Sequence, residues 1–257
     1  MAQPFDSPNQ LIRHARDEVS NATDIIAAFI RAQQYTKVIY VDPKTGEQIF
    51  RIKVTGPELP AKLSNIVKDA GGNLRDALDH ATYSSAVILV GGEPADTGFP
   101  FAKDAAGVAG ELASKRLSGN PPEIRPILAG FKPYEGGNDT LWALNQIRNP
   151  NTHRFIVPIG AAQTMGGLSI ASGRINGGQI GYSHWDATTK EIEYMRLSRD
   201  SQVNHQVNAA INIVFEGIKT VAGKSLIPTL NLMADEAERV VRDIEIATGK
   251  ILATRNP

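Results

Sequence analysis

Hydrophobic periodicity predicts an α+β fold: a helical layer with an inserted β-hairpin, then an antiparallel sheet, then a C-terminal helix. Three observations carry that expectation. Apolar residues recur at helical spacing from Leu11 to Ile30 and again from Leu59 to Ala81. Alternation takes over after residue 153, most clearly at Val207, Ala209, Ile211, Ile213 and Phe215. The helical period then returns at Leu230, Met233, Ala234, Ala237, Val240, Val241 and Ile244.

Taken in order, Ser7-Pro8 reads as an N-cap followed by proline in the first turn, opening a helix of about seven turns. Two alternating runs, 37–42 and 47–55, flank the turn Pro43-Lys44-Thr45-Gly46 and predict a hairpin over 37–55. A second long helix starts near Pro60. Its Gly71-Gly72 pair lowers helix propensity by about 1 kcal/mol per glycine, which points to a kink or to close packing against another helix. Residues 91–138 are rich in Gly and Pro and read as a packed loop region with helical pieces at 108–117 and 124–131. Asp139 caps a short helix that Pro150 ends. Strands follow at 154–159, 168–175, 179–185, 191–198 and 206–216, with Gly166, Gly167, Gly173, Gly177 and Gly178 assigned to turns. The last helix spans 228–248. This divides the chain into a mainly helical part, 1–153, and a β-rich part with the C-terminal helix, 154–257, as two domains or one continuous one.

The chain has 257 residues and a formal net charge of zero. Residues 1–150 carry 16 Lys+Arg against 17 Asp+Glu, and residues 151–257 carry 11 against 10. Neither part is a basic module, so no DNA-binding signature is present and strong non-specific nucleic-acid binding is disfavoured. The lack of cysteine excludes disulfides, thiolate nucleophiles and Cys-ligated zinc, and it fits a reducing compartment. The N-terminus has neither a basic start nor an apolar stretch, and no apolar run approaches the length of a membrane span. These features predict a cytoplasmic protein without a membrane partner.

The densest polar cluster on any predicted helix is Asn73, Arg75, Asp76, Asp79 and His80. At 100° per residue, Arg75 and His80 stand about 140° apart, with Asp76 and Asp79 between them. On a solvated face, Arg75–Asp79 and Asp76–His80 would be ordinary i,i+4 pairs. The cluster then belongs to a non-catalytic module that binds a partner or stabilises a dimer. Asp76, Asp79 and His80 also share one helical face, which with His153 or His205 would suit a metal. Acid and histidine clusters on helices are common without metal, so the expectation is no resident metal and no cofactor. Gly217–Ser225 lies where a phosphate loop would belong, but five residues separate its glycines instead of four and Ile218 occupies the first glycine's place. Neither Gly-x-Ser-x-Gly nor His-Glu-x-x-His occurs.

Arg75-Asp76-Ala77-Leu78-Asp79-His80 resembles the signature of the HEPN (higher eukaryotes and prokaryotes nucleotide-binding) helical superfamily. Arg148-Asn149-Pro150-Asn151-Thr152-His153 repeats the Arg/His spacing, with Pro150 inside the segment that should be helical. Composition alone predicts about 0.3 such pairs. The strings Asn73–His80 and Leu144–Arg154 are also similar to a group of uncharacterised bacterial proteins of like length, which show an NLRSALDH-type helix and an N-x-x-KHR-type segment. Those differ here at Asp76 and Thr152. The HEPN resemblance implies a metal-independent ribonuclease, or a nucleotide- or RNA-binding protein, in which the ribose 2′-hydroxyl attacks the adjacent phosphate. His80 would move protons, Asp76 would be its charge partner, and Arg75 would hold the phosphate. Asn73, Asp79, His153 and Arg154 would bind substrate. Two such helices face each other in HEPN nucleases, which implies a homodimer or completion of the site by 148–153.

Overall fold

The computed structural model describes residues 4–148, 159–186 and 188–255. Its order is α1 (Asp6–Ala32), β1 (Gln34–Val41), β2 (Gln48–Thr55), α2 (Lys62–Val90), α3 (Ala105–Ala113), a 3₁₀ turn (Lys115–Leu117), α4 (Arg125–Gly130), α5 (Asp139–Arg148), β3 (Ile159–Arg174), β4 (Gly178–Asp186), β5 (Glu191–Leu197), β6 (Gln202–Phe215) and α6 (Leu226–Arg255). The fold is α+β. Its contacts separate into two units, Met1–Asp24 with Ala61–Ile159 and Phe215–Pro257, and Ile25–Pro60 with Gly160–Val214. The expected division at residue 153 cuts across both. The hairpin bonds to β5 rather than standing in the helical layer, because β2 has a free edge that β5 completes. The C-terminal helix packs on α2 for the matching reason, that its apolar stripe needs an apolar face to cover.

In the helical unit, α2 packs against α5 and α6. Leu63, Val67, Ala70, Leu74, Ala77, Leu78 and Ala81 are fully buried along it, as are Leu230, Ala234, Ala237, Val240 and Ile244 of α6. Each large side chain so buried contributes roughly 1.5–3 kcal/mol. A polar clasp joins the two helices, Thr248 Oγ1 donating to Ser85 Oγ at 2.7 Å. Helix α2 runs unbroken through Gly71-Gly72. The reason for the first glycine is α5: a Cβ at Gly71 would meet Ile147 Cγ2 at 2.5 Å, whereas a Cβ at Gly72 would meet nothing within 4 Å. Of the two expectations for this pair, close packing holds. Helix α6 continues past the expected stop at Gly249, and Arg255 in its last turn binds Glu123 and the carbonyl of Leu89. The 91–138 region is packed as expected, with Phe99, Leu112, Leu117, Ile124 and Leu128 buried and Asn120 bonded to both backbone groups of Gly98.

In the sheet unit, four antiparallel strands lie in the order β1-β2-β5-β4, and β3 pairs with β6 in a second sheet. Phe50, Ile52, Val54, Ile192, Tyr194, Met195 and Leu197 form the apolar cluster, against which Leu168 of β3 and Val203, Val207 and Ala209 of β6 pack. The alternation read in β6 is therefore its core face. The strand expected at 168–175 belongs to a longer one, Ile159–Arg174, while 154–158 lie outside the described residues. Gly173 and Gly178 sit in strands rather than turns. A Cβ would come within 2.2 Å of Gln202 O at Gly173 and 2.1 Å of Arg196 O at Gly178, and both adopt positive φ, 147° and 135°.

The other face of β5 carries charge. Glu191 and Glu193 are only 4% and 8% exposed. Arg51 reaches both, at 3.2 Å and 2.9 Å, while Tyr40 donates to Glu191 at 2.6 Å and Tyr182 to Glu193 at 2.5 Å. Arg196 is a second cationic partner of Glu193, at 3.1 Å. Burial alone would push the Glu193 carboxyl up, but the bonds from Tyr182, Arg51 and Arg196 outweigh it and hold the group below its ordinary value. Burial, then the Glu193 bond, push Tyr182 up to about 12. Among the described residues no helix is long and apolar enough to cross a membrane.

Candidate functional site

Helix α2 brings His80 to the wall of a cavity of about 670 Å³ in the helical unit, lined by Pro4, Ser7, Asp79, His80, Tyr83, Ser84, Val87 and Thr97. Helical spacing explains the α2 share of this wall: residues 79, 80, 83, 84 and 87 follow the i, i+3, i+4 rule on one side of the helix. The N-terminal end of α1 closes a second side through Pro4 and Ser7, and Thr97 contributes a third. Volumes of this size are usual for small-molecule sites.

His80 is exposed, and its Nδ1 lies 2.7 Å from Ser7 Oγ. The serine hydroxyl can either donate to Nδ1 or accept from it, so the contact suits either imidazole tautomer. Nε2 has no hydrogen-bond partner among the described residues and is the ring atom left for a ligand. Ser7 had read as an N-cap, yet α1 starts one residue earlier, at Asp6, and the hydroxyl is spent across the unit on His80. Ser84 is likewise tied to the residues just before α1, donating to the carbonyl of Pro4.

Arg75 has a different task. Its Nη1 lies 2.5 Å from Asp79 Oδ2 but off the hydrogen-bonding direction, an ion pair rather than an aligned hydrogen bond. The guanidinium carbon sits 4.2 Å from the centroid of the Phe101 ring, and Nη2 is 3.5 Å from the Phe99 carbonyl. Asp79 Oδ1 in turn accepts the Phe99 backbone N–H at 2.8 Å. With its side chain only 12% exposed, Arg75 pins the 97–101 strand of chain to α2 and does not line the cavity. Within one chain Arg75 and His80 do not converge, as their spacing on the helix implies. Their 140° separation sends the arginine to the loop and the histidine to the cavity.

Asn73 and Asp76 are half-buried on α2 and are not among the lining residues. His153 and Arg154 lie outside the described residues, as does the second Arg/His segment beyond Arg148. Among the described residues no three histidine or carboxylate side chains gather as a metal site. His205 is held inside the sheet unit, its Nε2 2.6 Å from the Tyr194 hydroxyl. In the segment read as an imperfect phosphate loop, the amides of Val221, Ala222, Gly223 and Lys224 donate to the chain's own carbonyls, which leaves them unable to surround an anion.

Sequence reasoning found His80 and Asp79 and missed Ser7, Tyr83, Ser84, Val87 and Thr97. Tyr83, Ser84 and Val87 were legible in principle, because they continue the His80 face of α2 at helical spacing. Ser7 and Thr97 come from distant segments that carry no local signal of the contact. The fold and site together define an α+β protein with a histidine-walled cavity in its helical unit. No family model, no curated protein and no solved structure matches the chain.

Proposed function

We propose that the helical unit is a binding module for an organic ligand of nucleoside size, with the His80–Ser7 pair contacting the polar edge of a base. The observation that carries this reading is the cavity itself, where one hydrogen-bonded imidazole stands among apolar walls from Pro4, Tyr83 and Val87. Sites for small molecules combine largely apolar walls with a few placed polar groups. An aromatic wall such as Tyr83 accepts the flat face of an unstacked base, the way single-stranded RNA is commonly held. The HEPN resemblance of Arg75–His80 agrees with a nucleotide or RNA ligand.

Titration with adenosine, uridine and their 5′-monophosphates, followed through the imidazole C–H resonances of His80, tests the reading. Saturable shifts in the millimolar range or below, lost in Val87→Trp, are the expected result. No shift with any of the four compounds would refute it.

Ribonuclease activity is the second reading, favoured by one feature: His80 is exposed and keeps a ring nitrogen for proton transfer. With the Arg75 guanidinium engaged by Asp79, the charge that stabilises the transition state has to come from elsewhere, from a second copy or from the 148–153 segment. A labelled single-stranded RNA incubated in chelator distinguishes the two readings. Cleavage that disappears in His80→Ala supports catalysis. Binding with an intact RNA leaves the module non-catalytic.

A further inference from the structure

Strand β1 is the outer strand of the four-stranded sheet, and each of its residues except Val38 is exposed. Its backbone phase follows from two bonds. Asp42 N donates to Glu47 O at 2.9 Å, which makes 42 and 47 a hydrogen-bonded pair, and Val54 N donates to Lys190 O at 2.9 Å. Antiparallel pairing alternates, so Thr36, Val38 and Tyr40 exchange bonds with β2. Tyr35, Lys37, Ile39 and Val41 consequently turn their N–H and C=O groups to the open edge.

The side chains of those four residues share the apolar face of the sheet, opposite Val54, Ile52, Phe50 and Gln48 of β2. The core cluster includes the first three of these β2 residues but stops short of β1. Tyr35, Ile39 and Val41 remain 41%, 55% and 64% exposed. Among the described residues, one stripe thus offers both unpaired backbone and uncovered apolar surface. An edge lysine normally defends such a strand. Here Lys37 Nζ is drawn back over the sheet to the His205 carbonyl at 2.9 Å, which leaves its aliphatic stem along the edge.

We infer that β1 pairs with β1 of a second copy of this chain, antiparallel and two-fold symmetric about Val38. Both strands present odd-numbered residues outward, so only registers that set odd residues opposite odd residues form hydrogen bonds. Pairing Lys37 with Lys37 opposes like charges. Centring on Ile39 leaves Tyr35 beyond the partner strand's end. The register about Val38 sets Lys37 against Ile39 and Tyr35 against Val41, twice each, with no like charges opposed. The result is one continuous sheet across the two-fold axis. A single-strand edge contact is smaller than the roughly 800 Å² per partner of a standard stable interface, so the dimer is weak and reversible.

Sedimentation of the full chain over micromolar to millimolar concentration tests this with two variants. The wild type shows a concentration-dependent dimer. Ile39→Lys places a lysine opposite Lys37 at both symmetric pairs and weakens the dimer about tenfold or more. Lys37→Glu combined with Ile39→Lys sets Glu against Lys twice and restores it. Ile39 is over half exposed, so the folded state tolerates the change, and circular dichroism checks that directly. In the wild type, amide exchange at Tyr35, Lys37, Ile39 and Val41 slows as concentration rises. A wild-type monomer throughout, an Ile39→Lys dimer as tight as wild type, a double variant that stays monomeric, or concentration-independent exchange at these amides each overturns the inference.

Discussion

Replacing each glycine of the Gly71-Gly72 pair by alanine separates local helix propensity from tertiary packing at adjacent positions of one helix. Both sites lie inside α2, so either change recovers about 1 kcal/mol of propensity. At Gly72 nothing stands within 4 Å of the new methyl group. Gly72→Ala is therefore expected to stabilise by about 1 kcal/mol. At Gly71 the same methyl meets Ile147 Cγ2 at 2.5 Å, and Ile147 is fully buried, so either its side chain or α5 has to shift. Overpacking of this kind costs about 1–3 kcal/mol, which cancels or exceeds the propensity gain. The two variants should then differ by about 1–3 kcal/mol in unfolding free energy, read from urea denaturation at constant m. Removing the obstacle tests the cause. Ile147→Ala alone leaves a cavity, and adding Gly71→Ala to it should no longer carry the overpacking penalty, a coupling of the same size and opposite sign. Equal stability of the two single variants would refute the argument that α5 requires the glycine.

Other outcomes follow from the polar groups. Arg75→Ala should cost about 1–3 kcal/mol and speed amide exchange at Phe99, because Asp79 and the Phe101 ring lose their partner. An unchanged exchange rate would remove Arg75 from the loop's support. Arg51→Ala should cost about 2 kcal/mol or more, since Glu191 and Glu193 are left buried with fewer partners. Thermal unfolding measures that loss, and a variant as stable as wild type would contradict it. Burial, then the charge of Lys37, hold the His205 imidazole below its ordinary value despite a bond that raises it. The unfolded chain therefore binds the proton more readily. The stability contributed is complete above about pH 6.5 and falls as pH drops through that value toward the lower folded one. His205→Gln should flatten the slope between about pH 7 and pH 5, and an unchanged slope would assign the proton uptake to other groups.

Much of the architecture was legible because its cause is periodic. The stripes of α1, α2 and α6 and the alternation of β6 report which face each element buries, whatever it is buried against. Element ends were less so. Gly249 carries a stop signal, yet α6 continues because Arg255 finds Glu123 and the Leu89 carbonyl, contacts no local pattern encodes. The charge network of β5 was read as part of a strand and no more. Its Glu191 and Glu193 gain meaning only when Arg51, far away in sequence, is placed beside them.

The candidate site divides the same way. The polar content of α2, its imidazole and its guanidinium, could be read residue by residue, since position along a helix sets direction around it. Chain order by itself determined that Arg75 and His80 look away from each other. Only the tertiary structure decided what each one meets: a phenylalanine loop for the arginine, a serine and a cavity for the histidine. A side chain's partner depends on which distant segment packs over it, and that packing is chosen by the whole core rather than by any short stretch of sequence.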